Sequence, residues 1–201
     1  MKPFSQACEN NKQPILNVLQ RVFAHATSVL EIGSGTGQHA VFFAPNLPHL
    51  RWQTSDQPEY HEAMLLWIED EPSANLHQPI PFTVGVDDWH TVARVANTQF
   101  DAVFTANTTH IMQVHDAELM LKTVAEHLPV GGIFCQYGPF NINGQYTSES
   151  NREFDESLKA RGCGGIRDIA ELEAWVANTG LTLVENNDLP ANNRLLVWKK
   201  S

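Results

Sequence analysis

The sequence lacks any long apolar run. Its longest uninterrupted apolar stretch, Ala40 to Ala44, is far shorter than the roughly 20 residues that a membrane-spanning helix needs. The first residues, Met1 to Gln6, also lack the apolar centre of a secretory signal. We therefore expect a cytoplasmic protein that neither crosses a membrane nor is exported.

Cysteine is scarce as well. Cys8, Cys135 and Cys163 are an odd number and contain no C-x-x-C pair, which argues against both a disulfide framework and a zinc knuckle. His110 and His115 lie close in sequence but have no third ligand at a recognisable spacing, and open metal sites usually have three protein ligands. The sequence predicts no metal site.

Basic residues are also few. The chain has 13 Lys and Arg against 23 Asp and Glu, and its formal net charge of −10 would repel a phosphate backbone. The charge balance therefore argues against a nucleic-acid partner. One alternative stays open, a local patch of four basic side chains: Arg152, Lys159, Arg161 and Arg167.

The apolar pattern that is present predicts one α/β domain over residues 1–201. Ile15, Leu19 and Val22 recur at helical spacing after Pro14, which predicts an N-terminal helix over about residues 12–25. Strands and helices then alternate along the chain. We predict strands at Ser28–Ile32, Leu50–Thr54, Pro81–Val86, Phe100–Thr105 and Ile133–Tyr137, with helices between them, among them Gln38–Ala44, Glu59–Asp70 and Trp89–Ala96.

The chain ends differently, because two consecutive strands, Leu181–Glu185 and Leu195–Lys199, have no helix between them. Parallel neighbours need crossover helices, so the alternation predicts a Rossmann-like, seven-stranded, mostly parallel sheet with helices on both faces. The last pair predicts an antiparallel final strand. The one long segment without a clear period, about residues 138–151, follows a strand end, where open α/β sheets bind ligands.

A glycine cluster follows the first strand. Gly33, Gly35 and Gly37 suit a tight turn that a ligand can approach closely, which indicates a nucleoside-ligand site. The dinucleotide fingerprint would need glycine where Gln38 stands, so pyrophosphate binding is disfavoured. Glu31 places a carboxylate before the turn, which favours a ligand carrying an ammonium and a sulfonium.

Acids also follow the next two predicted strands. Asp56 stands where a carboxylate accepts both ribose hydroxyls of a nucleoside cofactor. After the third strand we assign Asp87 to an adenine amino group and Asp88 to the cap of the helix starting near Trp89. Asp56 could instead be an ordinary turn or helix-cap residue, and Asp87 and Asp88 could exchange their two roles.

These residues carry a resemblance. Val29 to Gly37 resembles the first motif of class I S-adenosylmethionine-dependent methyltransferases, Asp56 and Asp87 match the acids of the next strand ends, and Leu128 to Gly132 resembles the usual approach to strand five. The match covers about residues 28–137. It implies S-adenosylmethionine as cofactor and methyl transfer to a small-molecule or protein acceptor.

The remaining blocks resemble a narrower, largely uncharacterised family of short methyltransferase-like proteins. They lie at Glu9–Leu16, Asn107–Ile111, Tyr137–Phe140, Ser150–Leu158, Gly165–Asp168 and Pro190–Asn193. Members commonly have a Ser-Pro-aromatic step after the His-Ile pair, whereas this chain has Met112-Gln113-Val114. That difference leaves the local lining of the acceptor side open.

Two asparagines of these blocks are assigned to the cofactor. Asn107 follows strand four and would hold the cofactor or the acceptor, unless it only makes an Asx turn. Asn11, with Lys12, would close over the cofactor from the N-terminal helix, and a solvated helix start is the alternative.

The acceptor side is assigned four residues. His110 is the candidate general base, because an imidazole titrates near neutrality, with a purely structural histidine as the alternative. Tyr137 would wall the methyl-transfer channel or take part in catalysis, or else fill the core. Asn192 and Asn193 would bind a polar acceptor, or only turn the chain between the last strands.

The leading hypothesis is a methyltransferase in which an acceptor oxygen, nitrogen or sulfur attacks the sulfonium methyl in line. A second is a non-catalytic S-adenosylmethionine-binding module that acts through a partner. A third is a nicotinamide-dependent reductase, which the missing glycine at position 38 and the antiparallel ending disfavour.

Overall fold

The structure is a computed structural model that describes all residues from Met1 to Ser201. It has seven α-helices, a 3-10 turn at Pro58–Tyr60 and seven strands. The helices are α1 Gln6–Val22, α2 Gln38–Asn46, α3 His61–Asp70, α4 Trp89–Ala96, α5 Val114–His127, α6 Glu149–Ala160 and α7 Ile169–Trp175. The strands are β1 Ser28–Ile32, β2 Arg51–Asp56, β3 Leu76–Pro81, β4 Ala102–Ala106, β5 Ile133–Gly138, β6 Leu181–Leu189 and β7 Asn193–Lys200.

The strands form one seven-stranded sheet in the order β3-β2-β1-β4-β5-β7-β6. β1 pairs in parallel with both β2 and β4, and β2 pairs in parallel with β3. β7 runs antiparallel to both β5 and β6. The predicted fold class, a mostly parallel α/β sheet with helices around it and an antiparallel final strand, is confirmed.

The residues fall into two compact units, Met1–Thr105 and Ala106–Ser201, which are described separately below. The assignment of one domain to residues 1–201 stays a prediction. None of the helices has the combination of length and apolar composition needed to cross a membrane.

The core of the first unit is built around β1, all five residues of which are buried. An aromatic cluster packs beside it: the ring centroids of Phe43, Trp52 and Phe104 lie 5.4 to 5.7 Å apart. Aromatic pairs at such distances contribute about 0.5–1.5 kcal/mol beyond their buried area. This packing joins α2, β2 and β4 beside the candidate site.

The N-terminal helix differs from its predicted bounds of about 12–25, because it starts at Gln6 and ends at Val22. Ser5 caps it by accepting the N–H of Cys8, a signal that the apolar pattern does not contain. Pro14 therefore lies inside the helix and not in its first turn. Burial of an apolar face around Ile15 and Leu19 outweighs the hydrogen bond that proline removes.

The third strand was predicted five residues too late. β3 is Leu76–Pro81, whereas the predicted range Pro81–Val86 is mostly a turn. β3 contains only two buried positions, Leu76 and Ile80, so it carries little of the apolar signal. The more apolar segment after it bends at Gly85, which has a φ of +81°.

In the second unit, β5 pairs with β7 and β7 with β6 in antiparallel register. The predicted final pair is thus confirmed, but both strands are longer than predicted. Ala191 and Asn192 turn the chain between them with φ values of +62° and +57°. Two left-handed residues in a row are typical of the tight turn that joins neighbouring antiparallel strands.

The loop predicted over about 138–151 is shorter, because β5 continues to Gly138 and α6 begins at Glu149. It is also held in place at several points. The N–H of Gly144 donates to Asp168 at 2.5 Å, and the Tyr146 hydroxyl donates to Asp155 at 2.5 Å. The segment thus packs against α6 and against a residue that follows it.

Candidate functional site

The glycine turn between β1 and α2 contains three left-handed residues. Gly33, Gly35 and Gly37 have φ values of +70°, +57° and +83°. A Cβ added at Gly37 would lie 2.8 Å from the Cγ of Met64, so this glycine allows α2 and α3 to approach closely. A Cβ added at Gly35 would meet nothing within 4 Å. Gly35 therefore faces open space, as a residue contacted by a ligand would.

Glu31 is the most unusual group beside this turn. It is buried to 2% exposure and its carboxylate accepts the Trp52 indole N–H at 2.6 Å. Burial raises the pKa of Glu31 to about 7, against the lowering effects of hydrogen bonds from Trp52 and Ser34. The nearby Asp56 charge adds to the rise in this pKa. The structure thus holds a carboxyl that ionises near neutrality and that a cation would stabilise.

Asp56 ends β2, as predicted, and reaches back to the glycine turn. Its carboxylate accepts the N–H of Gly35 at 2.8 Å and the N–H of Gln57 at 2.8 Å. Burial raises the pKa of Asp56, and these two hydrogen bonds oppose the rise. The structure therefore brings the Asp56 carboxylate to the glycine turn, beside which Glu31 lies, within the first unit.

Asp87 and Asp88 have separate environments. The Asp87 carboxylate accepts the N–H of Thr83 at 2.6 Å and closes the turn that follows β3. Asp88 caps α4 by accepting the N–H of Thr91 at 3.0 Å, which confirms its predicted role. Because β3 ends at Pro81, Asp87 does not directly follow the strand as predicted, and its adenine contact stays a prediction.

Asn11 lies on α1, where its side-chain oxygen is 2.6 Å from Nε2 of His39 on α2. His39 is buried, and burial lowers the pKa of its imidazole to about 4. The ring is therefore neutral at pH 7, and Nε2 donates its proton to Asn11. The structure places Asn11 as a link between two helices, and its predicted cofactor contact stays a prediction.

In the second unit, two candidate residues, Asn107 and His110, follow β4, and a third, Tyr137, lies near the end of β5. Asn107 adopts a left-handed φ of +56° and donates its backbone N–H to the Tyr137 carbonyl at 2.9 Å. A Cβ added at Gly138 would lie 3.4 Å from Nδ1 of His110 and 3.9 Å from Oδ1 of Asn107. The structure thus brings Asn107 and His110 together at the end of β5.

His110 is buried to 4% exposure. Burial, and then the positive charge of Arg161, lower the pKa of its imidazole to about 4. The ring of Phe154 lies 5.5 Å from the imidazole centroid in an edge-on arrangement. At neutral pH this histidine is uncharged, with a ring nitrogen free to act as a weak base. The premise that its imidazole titrates near neutrality is wrong, because burial opposes the protonated form.

Two of the other acceptor-side candidates are either buried or hydrogen-bonded within the protein. Tyr137 is 2% exposed within β5. Asn192 lies at the tip of the β6–β7 turn, where its side chain donates to the Ser150 hydroxyl at 3.2 Å and its carbonyl accepts from Asn151. Asn193 is the first residue of β7. The turning role of Asn192 is confirmed, and acceptor binding by these residues stays a prediction.

Two residues beside the site were not identified from the sequence. Trp52 holds Glu31, and the register that pairs Glu31 with Thr54 places Trp52 on the same face of the sheet. Gln38, which from the sequence only replaces the last glycine of a dinucleotide fingerprint, is 2% exposed and makes three side-chain hydrogen bonds. The only sequence feature that points to Gln38 is its place directly after the glycine turn.

The four basic residues considered as a patch are engaged within the second unit. Arg152 forms ion pairs with Glu149 and Glu156, and Lys159 pairs with Asp155 at 2.7 Å. Further hydrogen bonds occupy the remaining two: Arg161 donates to the Ser157 carbonyl, and Arg167 donates to the carbonyls of Gly164 and Gly165. No group of three or more His, Cys, Asp or Glu side chains is arranged to hold a metal ion.

A cavity of about 390 Å³ lies elsewhere in the second unit, beside α7 and β6. Trp198, Leu183 and Val176 contribute its apolar lining. No candidate site residue borders it, so the cavity does not identify the reaction site.

Residues 2–200 match the family described as "Protein of unknown function (DUF938)". The match spans nearly the whole chain and includes both units. It therefore covers the blocks that resembled a family of short methyltransferase-like proteins, but its description names no activity.

Solved methyltransferase structures share the fold. An O-methyltransferase family protein from Burkholderia thailandensis superimposes with a TM-score of 0.78 at 18% identity, over 97% of this chain and 57% of that one. Human N-acetylserotonin methyltransferase, solved in complex with S-adenosylmethionine, gives a TM-score of 0.79 at 12% identity, over 98% and 53%. A putative O-methyltransferase from Nostoc punctiforme gives 0.78 at 19%, over 96% and 56%. This chain thus spans little more than half the length of these proteins.

Proposed function

The chain belongs to the DUF938 family, and from this premise we propose that it is an S-adenosylmethionine-dependent methyltransferase for a small-molecule or protein acceptor. The observation that carries the proposal is the pairing of an open glycine turn with two carboxylates in the first unit. Glu31 and Asp56 both belong to this arrangement. The shared fold of S-adenosylmethionine-dependent methyltransferases supports it.

The charge around the turn favours a cation. Glu31 and Asp56 are acidic, and Glu9 accepts from Gln38, the first residue of α2, at 2.7 Å. Lys12, a basic side chain of α1, is paired with Glu9 at 2.6 Å. A pyrophosphate would meet two or three carboxylates, whereas an ammonium and a sulfonium would be attracted to them. This electrostatic difference favours S-adenosylmethionine over a nicotinamide dinucleotide.

The residues of the turn also fit a nucleoside. Gly35 leaves the space that a side chain would fill, and the two carboxylate oxygens of Asp56 retain acceptor capacity for ribose hydroxyls. We assign the adenine amino group to Asp87 and further cofactor contacts to Asn11 and Asn107. S-adenosylmethionine supplies an activated methyl group when bound, so the chain has mainly to bind and orient the reactants.

On the acceptor side we assign proton removal to His110. Its imidazole is neutral at pH 7, so it can take the proton of an acceptor hydroxyl as the oxygen bonds to the methyl carbon and its O–H becomes strongly acidic. An acceptor amine would have to attack in its neutral form, because an ammonium nitrogen has no free electron pair. Tyr137 would align the acceptor or assist catalysis, and Asn192 and Asn193 would contact a polar acceptor.

Isothermal titration calorimetry against S-adenosylmethionine, S-adenosylhomocysteine and NAD tests the proposal. We expect saturable binding of the first two and none of NAD. Incubation with fractionated metabolites and proteins should then yield S-adenosylhomocysteine. Binding without any product would support the second candidate, a binding module, which the engaged side chains of the acceptor side favour. Saturable binding of NAD alone would contradict both.

Removing the imidazole of His110 should lower methyl transfer without weakening cofactor binding. We expect His110→Ala to reduce the turnover number about 100-fold, the usual size of a general-base contribution. His115→Ala is the matched control, because His115 is exposed and lies on the next helix. Steady-state kinetics on an acceptor found in that incubation measures both variants, and full turnover by His110→Ala would remove the assignment.

A further inference from the structure

Gln38 uses its whole side-chain amide to bind the start of the N-terminal helix. Its oxygen accepts the backbone N–H of Ser5 at 2.9 Å, and its nitrogen donates to the Ser5 carbonyl at 3.0 Å. The same nitrogen donates to the Glu9 carboxylate at 2.7 Å. The amide of Gln38 thus bonds to both the N–H and the carbonyl of Ser5, as the backbone of a neighbouring strand would. This pair of hydrogen bonds fixes where the Ser5 backbone lies.

The residues before Ser5 are tied down at a second place. The ammonium of Lys2 lies 3.6 Å from the ring centroid of Trp67 on α3, and the Trp67 indole donates to the Pro3 carbonyl at 2.6 Å. Lys2 also forms an ion pair with Asp70. These contacts hold the first residues across α3. We call residues 2–12 the N-terminal strap.

Two further contacts fasten the strap along α2. Asn11 accepts from His39, and the ammonium of Lys12 lies 4.8 Å from the ring centroid of Phe42. Gln38, His39 and Phe42 all lie in the first five residues of α2. The strap thus binds the start of the helix that directly follows the glycine turn.

The start of α2 matters for ligand binding because the first N–H groups of a helix have no partner within it. Gly37 is the residue before α2 and Gly35 lies two residues earlier in the turn. Any movement of Gln38 therefore changes the backbone that a ligand at Gly35 would contact.

We infer that Gln38 is a positioning residue through which the N-terminal strap controls the exchange of the nucleoside cofactor. The inference rests on the proposed function, because it takes the glycine turn to be the cofactor site. With the strap bound, the turn is ordered and the cofactor leaves slowly. With the strap released, the start of α2 relaxes and the cofactor leaves quickly.

A matched pair of variants tests this coupling. Gln53 is also a buried glutamine of the first unit, and its side chain also makes three hydrogen bonds, to Arg51, Thr54 and Gln78. Gln38→Met and Gln53→Met should therefore lower thermal stability by similar amounts. Only Gln38→Met should raise the dissociation rate of S-adenosylhomocysteine, about tenfold or more, in stopped-flow displacement.

Trp67→Phe is a second variant that should loosen the strap, and it lies outside the glycine turn. It keeps the aromatic ring but removes the N–H that binds Pro3. We expect faster dissociation of S-adenosylhomocysteine than in the wild type, in the same direction as Gln38→Met. Hydrogen exchange of residues 2–12 should slow when the wild type binds S-adenosylhomocysteine, and should slow less in both variants.

The outcomes separate this inference from the proposed function. If the wild type does not bind S-adenosylhomocysteine, both are overturned. If it binds and the dissociation rates of Gln38→Met and Trp67→Phe equal that of the wild type, or that of Gln53→Met rises equally, only the inference is overturned. Binding with hydrogen exchange in the strap unchanged also overturns only the inference.

Discussion

Replacing Glu31 by glutamine should make the protein more stable at pH 8 and weaken its binding of S-adenosylmethionine. Burial sets the pKa of Glu31 at about 7, against an ordinary value of 4.5. The folded chain therefore keeps a proton that the unfolded chain has lost, and stability falls as pH rises from about 4.5 to about 7. Above that window the loss is complete, at about 3 kcal/mol.

Glu31→Gln removes this loss because glutamine carries no charge at any pH and can still accept the indole N–H of Trp52. Between pH 4.5 and 7 the wild type loses stability through Glu31 and the variant does not. The free energy of unfolding of the variant should therefore rise relative to that of the wild type across this window. Chemical denaturation at several pH values measures the difference between the two proteins. Parallel curves for the wild type and the variant would contradict the raised pKa.

The same substitution removes a negative charge that a cationic ligand would use. Hydrogen bonds to charged groups contribute about 1.5–3 kcal/mol, so S-adenosylmethionine should bind Glu31→Gln at least about tenfold more weakly at pH 8. In the wild type its affinity should rise between pH 6 and 7.5, because binding favours ionised Glu31. Calorimetry that finds equal affinity for both proteins at pH 8 would exclude Glu31 from the cofactor site.

Alanine at Gly35 and alanine at Gly37 should have opposite consequences. At Gly35 the added Cβ meets nothing within 4 Å, so only the left-handed backbone opposes it, at roughly 1–2 kcal/mol. At Gly37 the Cβ would lie 2.8 Å from Met64 Cγ and 3.3 Å from the Met64 carbonyl oxygen. Gly37→Ala should therefore lower stability by about 3 kcal/mol or more, or about 10 °C in melting temperature.

Gly35→Ala, the substitution with the smaller effect on stability, should have the larger effect on cofactor affinity. Gly35→Ala leaves a nearly intact fold but fills the space that we assign to the cofactor, so the affinity for S-adenosylhomocysteine should fall at least about tenfold. Gly162→Ala is the control for backbone strain alone, since Gly162 has a φ of +80° with nothing within 4 Å of an added Cβ. Thermal unfolding and calorimetry on the three variants measure both effects. Unchanged affinity in a folded Gly35→Ala protein would place the ligand elsewhere.

The sequence predicted most of the fold because the strong patterns are local. β1, the glycine turn and the start of α2 follow one another within a few residues, and each is recognisable alone. β3 was misplaced because it has few buried residues and a more apolar segment follows it. The start of α1 was missed because its cap, Ser5, lies outside the apolar pattern.

Candidate residues at strand ends were predictable for a related reason. Carboxyl ends of parallel strands share one edge of a sheet, so Glu31 and Asp56 had to lie near each other once both strands were recognised. The contacts that characterise them were not predictable. Trp52 binds Glu31 because of the register between β1 and β2, and register does not follow from either strand alone.

The sequence by itself therefore determined the class of sheet, the glycine turn and the acids that follow the strands, since these depend on periodicity and short spacings. Only the tertiary structure decided how those groups are used. The proton affinity of Glu31 depends on burial, and the position of α2 depends on Gln38 meeting Ser5, 33 residues away in the chain. Burial and distant pairing arise from packing, which no single segment of sequence contains.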